Sequence, residues 1–229
     1  MRLTIHQPAY LPYLGLLSKI NASDKFIILD HVKFDHNSFD NRNRIRIDGQ
    51  DKWLTIPVQH NSTRLIDTKI ANSEWKNKHI ELIRQAYKRE PFFNDYFGIF
   101  KELLLTEVNY TGESLMNYCY WTTCSLYHTI AEKDFDVSYS SVIYKGKNTG
   151  SQMILDLCLQ TGADEYLSGS MGKDYLDIEA FKKAGVKVLY HHWDEKYYLS
   201  SIHYLLKGGD FICKHMLTDF MTIEEARVV

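Results

Sequence analysis

An alternation of periods constrains this chain more than any other feature. Its opening, "RLTIHQPAYLPYLGLLSKINASDKFIILDH" (2–31), starts with an apolar strand ending at His6 and passes two prolines. Leu11, Leu14, Leu17 and Ile20 then recur every three residues, before the unbroken apolar run "KFIILD". Spacing by three marks one face of a helix, and the short apolar run suits a strand buried on both faces. This predicts strand, helix, strand, with the helix from about Tyr10 to Asn21 and Pro12 in its first turn, where a missing N–H costs little. From about residue 136 the rhythm returns. "VSYSSVIY" reads as a strand and "NTGSQMILDLCLQTG" as a helix closed by Gly162. "DEYLSG" is the next strand, "DYLDIEAFKKAG" a helix closed by Gly185, and "VKVLYHHW" a further strand. Strands alternating with helices predict an α/β fold, a mostly parallel sheet flanked by helices.

Two other patterns interrupt that rhythm. In "NRNRIRIDGQDKWLTIPV", Ile45 and Ile47 alternate with Arg44 and Arg46, and Asp48-Gly49 is a strong hairpin turn. Period two then places Arg42, Arg44 and Arg46 on one face, as a solvated strand face or as an anion-binding strip. Residues 73–132 read as a helical insert. Ser73 is the expected N-cap of its first helix, which carries Trp75, His79 or Ile80, Ile83 and Tyr87 on one side. A single domain over 1–229 is expected, with an N-terminal α/β part and hairpin (1–70), the insert (73–132) and a C-terminal α/β part (136–229).

Composition removes several function classes. No run of about 18 apolar residues exists, so no membrane span is expected. Arg2 leads straight into a short strand and a polar turn, so no secretory leader is expected either. The four cysteines are dispersed without zinc spacing, which fits a reduced, cytoplasmic setting. A net charge of −2 argues against a nucleic-acid partner, because neutralising phosphates needs a basic surface. The expected partner is a small-molecule substrate, and nothing in the residues identifies a cofactor.

In parallel sheets ligands sit beyond the carboxyl ends of the strands. That rule gathers His6, residues Asp30 to Lys33 and the loop from Ser168 to Lys173 at one edge. His6, with Gln7 beside it, is either a proton-transfer group or a structural residue of the turn. Lys19 on the following helix points either into that site or at solvent. Ser168, Gly169, Ser170, Gly172 and Lys173 form a loop whose N–H groups suit a phosphate or carboxylate, although the Walker spacing fails because Asp174 follows Lys173. Asp30, His31, Asp35 and His36 lack a firm metal-ligand spacing, and His191 and His192 point to opposite faces of a strand, so no metal site is expected. Tyr10 and Trp53 are candidates for sugar or base contacts.

Taken in order, "IHQPAYLPYLGLLSKI", "ASDKFIILDHVKF", "NRNRIRIDGQDKWLTIPV", "IDTKIANSEWKNKHIELIRQAYKREPFF" and "LQTGADEYLSGSMGKDYLDIEAFKKAGVKVLY" resemble the WbqC-like protein family over about residues 3 to 207. The resemblance implies a role in bacterial surface-polysaccharide (O-antigen) synthesis. It points to a transferase that modifies a nucleotide-activated amino sugar by acyl or aminoacyl transfer. Within these stretches Gln7, Asn41, Lys78 and His79 join the substrate-binding candidates. The chain departs from the family's pattern at His31, Asn37 and Phe39. A second resemblance is to HIGH-type nucleotidyltransferases, which share the strand–turn–helix opening and use ATP with magnesium. Here Gly15 lacks their flanking histidines. A non-catalytic sugar-nucleotide binding protein is the third reading.

Overall fold

Residues 1–36, 38–59, 62–106 and 114–226 are described by the computed structural model. Asn37 lies outside them. The first α/β part comprises β1 (Arg2–His6), α1 (Leu14–Asn21) and β2 (Lys25–Ile28), followed by the hairpin β3 (Arg42–Ile47) and β4 (Gln50–Thr55). The insert is α2 (Glu74–Tyr87), α3 (Phe93–Leu105) and α4 (Leu115–Ala131). The C-terminal part runs β5 (Asp136–Tyr139), α5 (Ser140–Ile143), α6 (Gly150–Thr161), β6 (Glu165–Gly169), α7 (Ile178–Lys183), β7 (Lys187–Trp193), α8 (Ser201–Asp219) and β8 (Met221–Glu225).

The six-stranded sheet has the order β5-β2-β1-β6-β7-β8. Neighbours pair in parallel from β5 to β7, and β8 closes the edge antiparallel to β7. β1 therefore leads through α1 to a strand on one side, whereas β6 leads through α7 to a strand on the other. Such a reversal is the switch point at which ligands bind open α/β sheets. Because side chains alternate along a strand, each face has its own core. Leu3, Ile5 and Ile27 pack with α6 and α7 residues such as Leu157 and Phe181. Phe26 and Ile28 face the other way, into a core shared by α1, the hairpin, the insert and α8. Each fully buried Leu or Ile contributes about 1.5–3 kcal/mol.

The hairpin forms as expected. Asp48 and Gly49 both take positive φ (49° and 78°), as a two-residue primed turn requires. Asn43 and Ile45 are buried while the three arginines are half-buried on the opposite face. In α2 it is His79, not Ile80, that shares the buried face with Trp75, Ile83 and Tyr87. Ser73 makes no capping bond, and Asn72 Oδ1 accepts from Glu74 N instead.

Three expected element bounds need correction. α1 starts at Leu14, so Pro12 lies in an extended loop before it rather than in its first turn. A residue before proline disfavours helical ψ, and Leu11 takes φ +42°. The strand expected through Tyr144 ends at Tyr139, where α5 begins. The helix expected from Asp174 is α7, which starts only at Ile178 after a 3₁₀ turn over Ser170–Asp174. The edge strand β8 was not anticipated.

Candidate active site

The register of the switch point shapes the site. β1 and β6 pair from Arg2↔Glu165 to Thr4↔Leu167 and then part. Each runs two residues further with its other neighbour, His6 opposite Ile28 and Gly169 opposite His191. Counting by twos from Thr4 and Leu167 puts His6, Gly169 and His191 on one face across three strands. α1 covers that face and contributes Ser18 and Lys19, both buried.

Hydrogen bonds determine the state of each histidine. His6 Nδ1 lies 2.7 Å from Gln7 O; a carbonyl only accepts, so Nδ1 carries the proton and Nε2 holds a lone pair. Burial, followed by the charge of Lys19, lowers the His6 pKa to about 4, so the ring is neutral at pH 7. Ser18 Oγ donates to Leu217 O at 2.6 Å, which leaves His191 Nε2 to donate to Ser18 Oγ at 3.1 Å. Burial, then Lys19 and His192, hold His191 near pKa 4 as well.

Lys19 is 5% exposed, and its Nζ donates to Ile5 O at 3.2 Å. Among the described residues no carboxylate pairs with it, and burial alone lowers its pKa to about 8. A buried ammonium without an anion is costly, and several kcal/mol return when an anion arrives. The edge thus holds a lone pair on His6 Nε2 and a cation that lacks a counter-ion.

The loop from Gln7 to Tyr13 is fixed on several sides. Asn43 Nδ2 donates to Leu11 O at 2.7 Å, and Ser200 Oγ donates to the same oxygen at 2.8 Å. Ser201 N donates to Pro12 O and Tyr10 N to Phe39 O. Gly15 is needed below, since a Cβ there would stand 2.7 Å from the Trp193 ring. Held this way, the loop sets the direction of His6 without ligand.

The other candidates divide. Tyr10 is fully buried, with its hydroxyl 2.9 Å from His79 Nδ1, so these two support the loop from behind. Asp30 accepts from Ser140 Oγ (2.7 Å), Ser141 N (2.8 Å) and Ser141 Oγ (2.5 Å), which anchors α5 to the end of β2. Asn41 is buried and donates to Ile56 O. Lys78 is exposed on α2. Gln7 is half-buried next to His6. Arg42, Arg44 and Trp53 meet on the outer face of the hairpin.

The Gly/Ser loop differs in detail from its expected form. Ser168 is buried, and a Cβ on Gly172 would meet its Oγ at 2.1 Å, so the loop is drawn tightly over Ser168. Ser170 lies in the 3₁₀ turn, and Lys173 Nζ turns to Glu224 Oε2 at 3.1 Å on β8. Gly169 is the loop residue that reaches the switch point. On sequence alone His191 is weighed only as a metal ligand beside His192 and Ser18 is not singled out, because the partnership of Ser18 and His191 spans 173 residues.

Two surface clefts, of about 450 and 560 Å³, lie elsewhere. One borders α7 and β8, and the other lies below the hairpin turn beside His203; neither is lined by His6, Lys19 or Gly169. The chemistry of the switch point outweighs cleft size here. Among the described residues no three His, Cys, Asp or Glu side chains converge as a metal-ligand group, and no helix is long and apolar enough to cross a membrane.

A Mycobacterium tuberculosis relative, the uncharacterized protein Rv1507c, is 27% identical over 198 residues, 84% of this chain and 83% of that protein. No solved structure matches significantly. The WbqC-like protein family model matches residues 7–204, beginning one residue after His6 and covering the loop, hairpin, insert and the β6 and β7 side of the switch point. The chain belongs to the WbqC-like protein family.

Proposed function

We propose that the protein is a transferase that acylates or aminoacylates the amino group of a nucleotide-activated sugar for bacterial surface polysaccharide. The supporting observation is the pairing at the switch point of a neutral His6, whose Nε2 lone pair meets no donor among the described residues, with the buried Lys19, which meets no carboxylate among them. Lys19 holds a phosphate oxygen of the substrate. The sugar amine attacks the acyl carbon of an acyl thioester or acyl phosphate, and His6 Nε2 takes the amine proton as the C–N bond forms. The bond from acyl carbon to leaving group breaks, and that proton passes on to the leaving group. Amide and free leaving group are the products. Four free cysteines accord with a cytoplasmic location, where nucleotide sugars and acyl donors meet.

Thermal-shift screening against UDP-, dTDP- and GDP-amino sugars, acyl thioesters and ATP with magnesium ranks the ligand classes. Nucleotide amino sugars are expected to stabilise most. Mass spectrometry of mixtures with an acyl thioester should then show the amide, and His6→Gln should keep binding while turnover falls about 10²-fold or more. Stabilisation by ATP with magnesium alone would replace this reading with nucleotidyl transfer, and unchanged turnover in His6→Gln would remove His6 from the mechanism.

A further inference from the structure

Phe39 and Trp53 are 40% and 39% exposed, yet their rings lie together with centroids 5.7 Å apart. Trp53 stands opposite Arg44 in the hairpin, so both project from its outer face together with Arg42. The guanidinium carbons of Arg42 and Arg44 lie 4.3 and 5.0 Å from the Trp53 ring centre, and that of Arg44 lies 4.5 Å from Tyr198. Arg44 is poorly served by the protein. Asp51 bonds Arg46 at 2.8 Å but stands 3.7 Å from Arg44, whose Nε is buried without an acceptor among the described residues. Partly exposed rings beside a guanidinium that shares its nearest carboxylate, Asp51, with Arg46 suit a nucleobase followed by a phosphate.

This platform is built onto the loop that positions His6. Phe39 O accepts from Tyr10 N at 3.2 Å, and Arg44 O accepts from Ser200 N, whose own hydroxyl holds Leu11 O. Tyr10 follows His6 by four residues, at most about 14 Å of extended chain. We infer that Phe39, Trp53, Tyr198 and Arg44 form the nucleobase subsite of the substrate, an inference that rests on the transferase reading above. The base stacks on the Phe39–Trp53 pair, the nearer phosphate meets Arg44, and the farther one meets Lys19. A sugar phosphate without a base engages Lys19 alone.

Titration of tryptophan emission tests this, with UDP, dTDP and GDP against N-acetylglucosamine 1-phosphate as base-free probe. At least one nucleoside diphosphate should quench, and Trp53→Phe should abolish the quench. Arg44→Met and Phe39→Ala should weaken that nucleotide about tenfold and change the base-free probe less than about twofold. Unchanged melting curves certify that these surface variants fold. If the base-free probe binds through Lys19 while no nucleoside diphosphate quenches, the subsite is overturned and the phosphate site stands. If neither probe binds, both readings fall. Emission that follows protein concentration instead of nucleotide marks the rings as a contact between copies and also overturns the subsite.

Discussion

Lys19 Nζ donates to Ile5 O at 3.2 Å, where β1 has already parted from β6. Among the described residues this ammonium meets a carbonyl and no carboxylate. Its pKa therefore falls from 10.5 to about 8, a difference worth roughly 3 kcal/mol of lost stability below pH 8. The sign follows from proton counts: between about 8 and 10.5 the unfolded chain binds more protons, so stability rises with pH across that window and is flat below it. Lys19→Met removes the buried charge but leaves Ile5 O short of a partner, which costs about 1 kcal/mol. The variant should be about 2 kcal/mol more stable than wild type at pH 7 in urea unfolding, a gain that is cancelled near about pH 9.5 and reversed by about 1 kcal/mol at about pH 10.5. Loss of stability at pH 7 would show that Lys19 is already compensated.

Acid should unfold the protein through its histidines. His79 and His191 are 3% and 5% exposed, and burial, with Lys78 and Lys19 as the next contributions, lowers both to about 4. Unfolded, each titrates near 6.5. Stability is therefore complete above about pH 6.5 and falls as pH drops toward 4, by roughly 3 kcal/mol for each fully buried ring. Half-buried His6 and His203 add smaller amounts in the same direction. Against a total of about 5–15 kcal/mol, the urea midpoint should drop steeply between pH 6.5 and 4.5. A midpoint constant over that range would mean that these rings are charged in the folded state.

Local signals were legible because they depend on near neighbours. The apolar runs of β1, β2 and β7 mark strands wherever they are packed, and Asp48-Gly49 fixes a turn by its own φ angles. Start points set by distant partners were not legible. The apolar spacing from Leu11 extends a helix backward through Pro12, but bonds from Asn43, Ser200 and Ser201 hold the segment extended. β8 carries the charged, half-exposed sequence "MTIEE", which gains strand structure only by pairing with β7. His6 was visible at a strand end, whereas its lone-pair state and the isolation of Lys19 depend on three strands and a helix meeting.

Gly172 tests how tightly the 168–173 loop is drawn. A Cβ there would lie 2.1 Å from Ser168 Oγ and 3.0 Å from Leu176 Cδ1. Gly172→Ala should cost about 1–3 kcal/mol. Adding Ser168→Ala removes the oxygen but leaves Cβ of residue 168 in place at 3.0 Å, so part of the loss should return. A double-mutant cycle measured by denaturant unfolding should give a coupling of about 0.5–2 kcal/mol. Additive effects would show that the loop moves away as a unit, and that Ser168 does not set its path.

Tyr10 and His79 make the support of the His6 loop measurable apart from any chemistry. His79 is also bonded to the backbone at Thr55, which takes its ring N–H and leaves Nδ1 to accept the Tyr10 hydroxyl. Tyr10→Phe keeps the ring and deletes that hydroxyl, so a buried nitrogen loses its donor at a cost of about 1–3 kcal/mol. His79 stays neutral because burial, its largest influence, is unchanged. The urea midpoint should therefore fall by an amount that is constant from pH 7 to pH 8. Hydrogen exchange should quicken at Tyr10 N, bonded to Phe39 O, and at Ser201 N, bonded to Pro12 O. If both amides keep their protection while the midpoint falls, the hydroxyl stabilises α2 alone and the loop is held by Asn43 and Ser200.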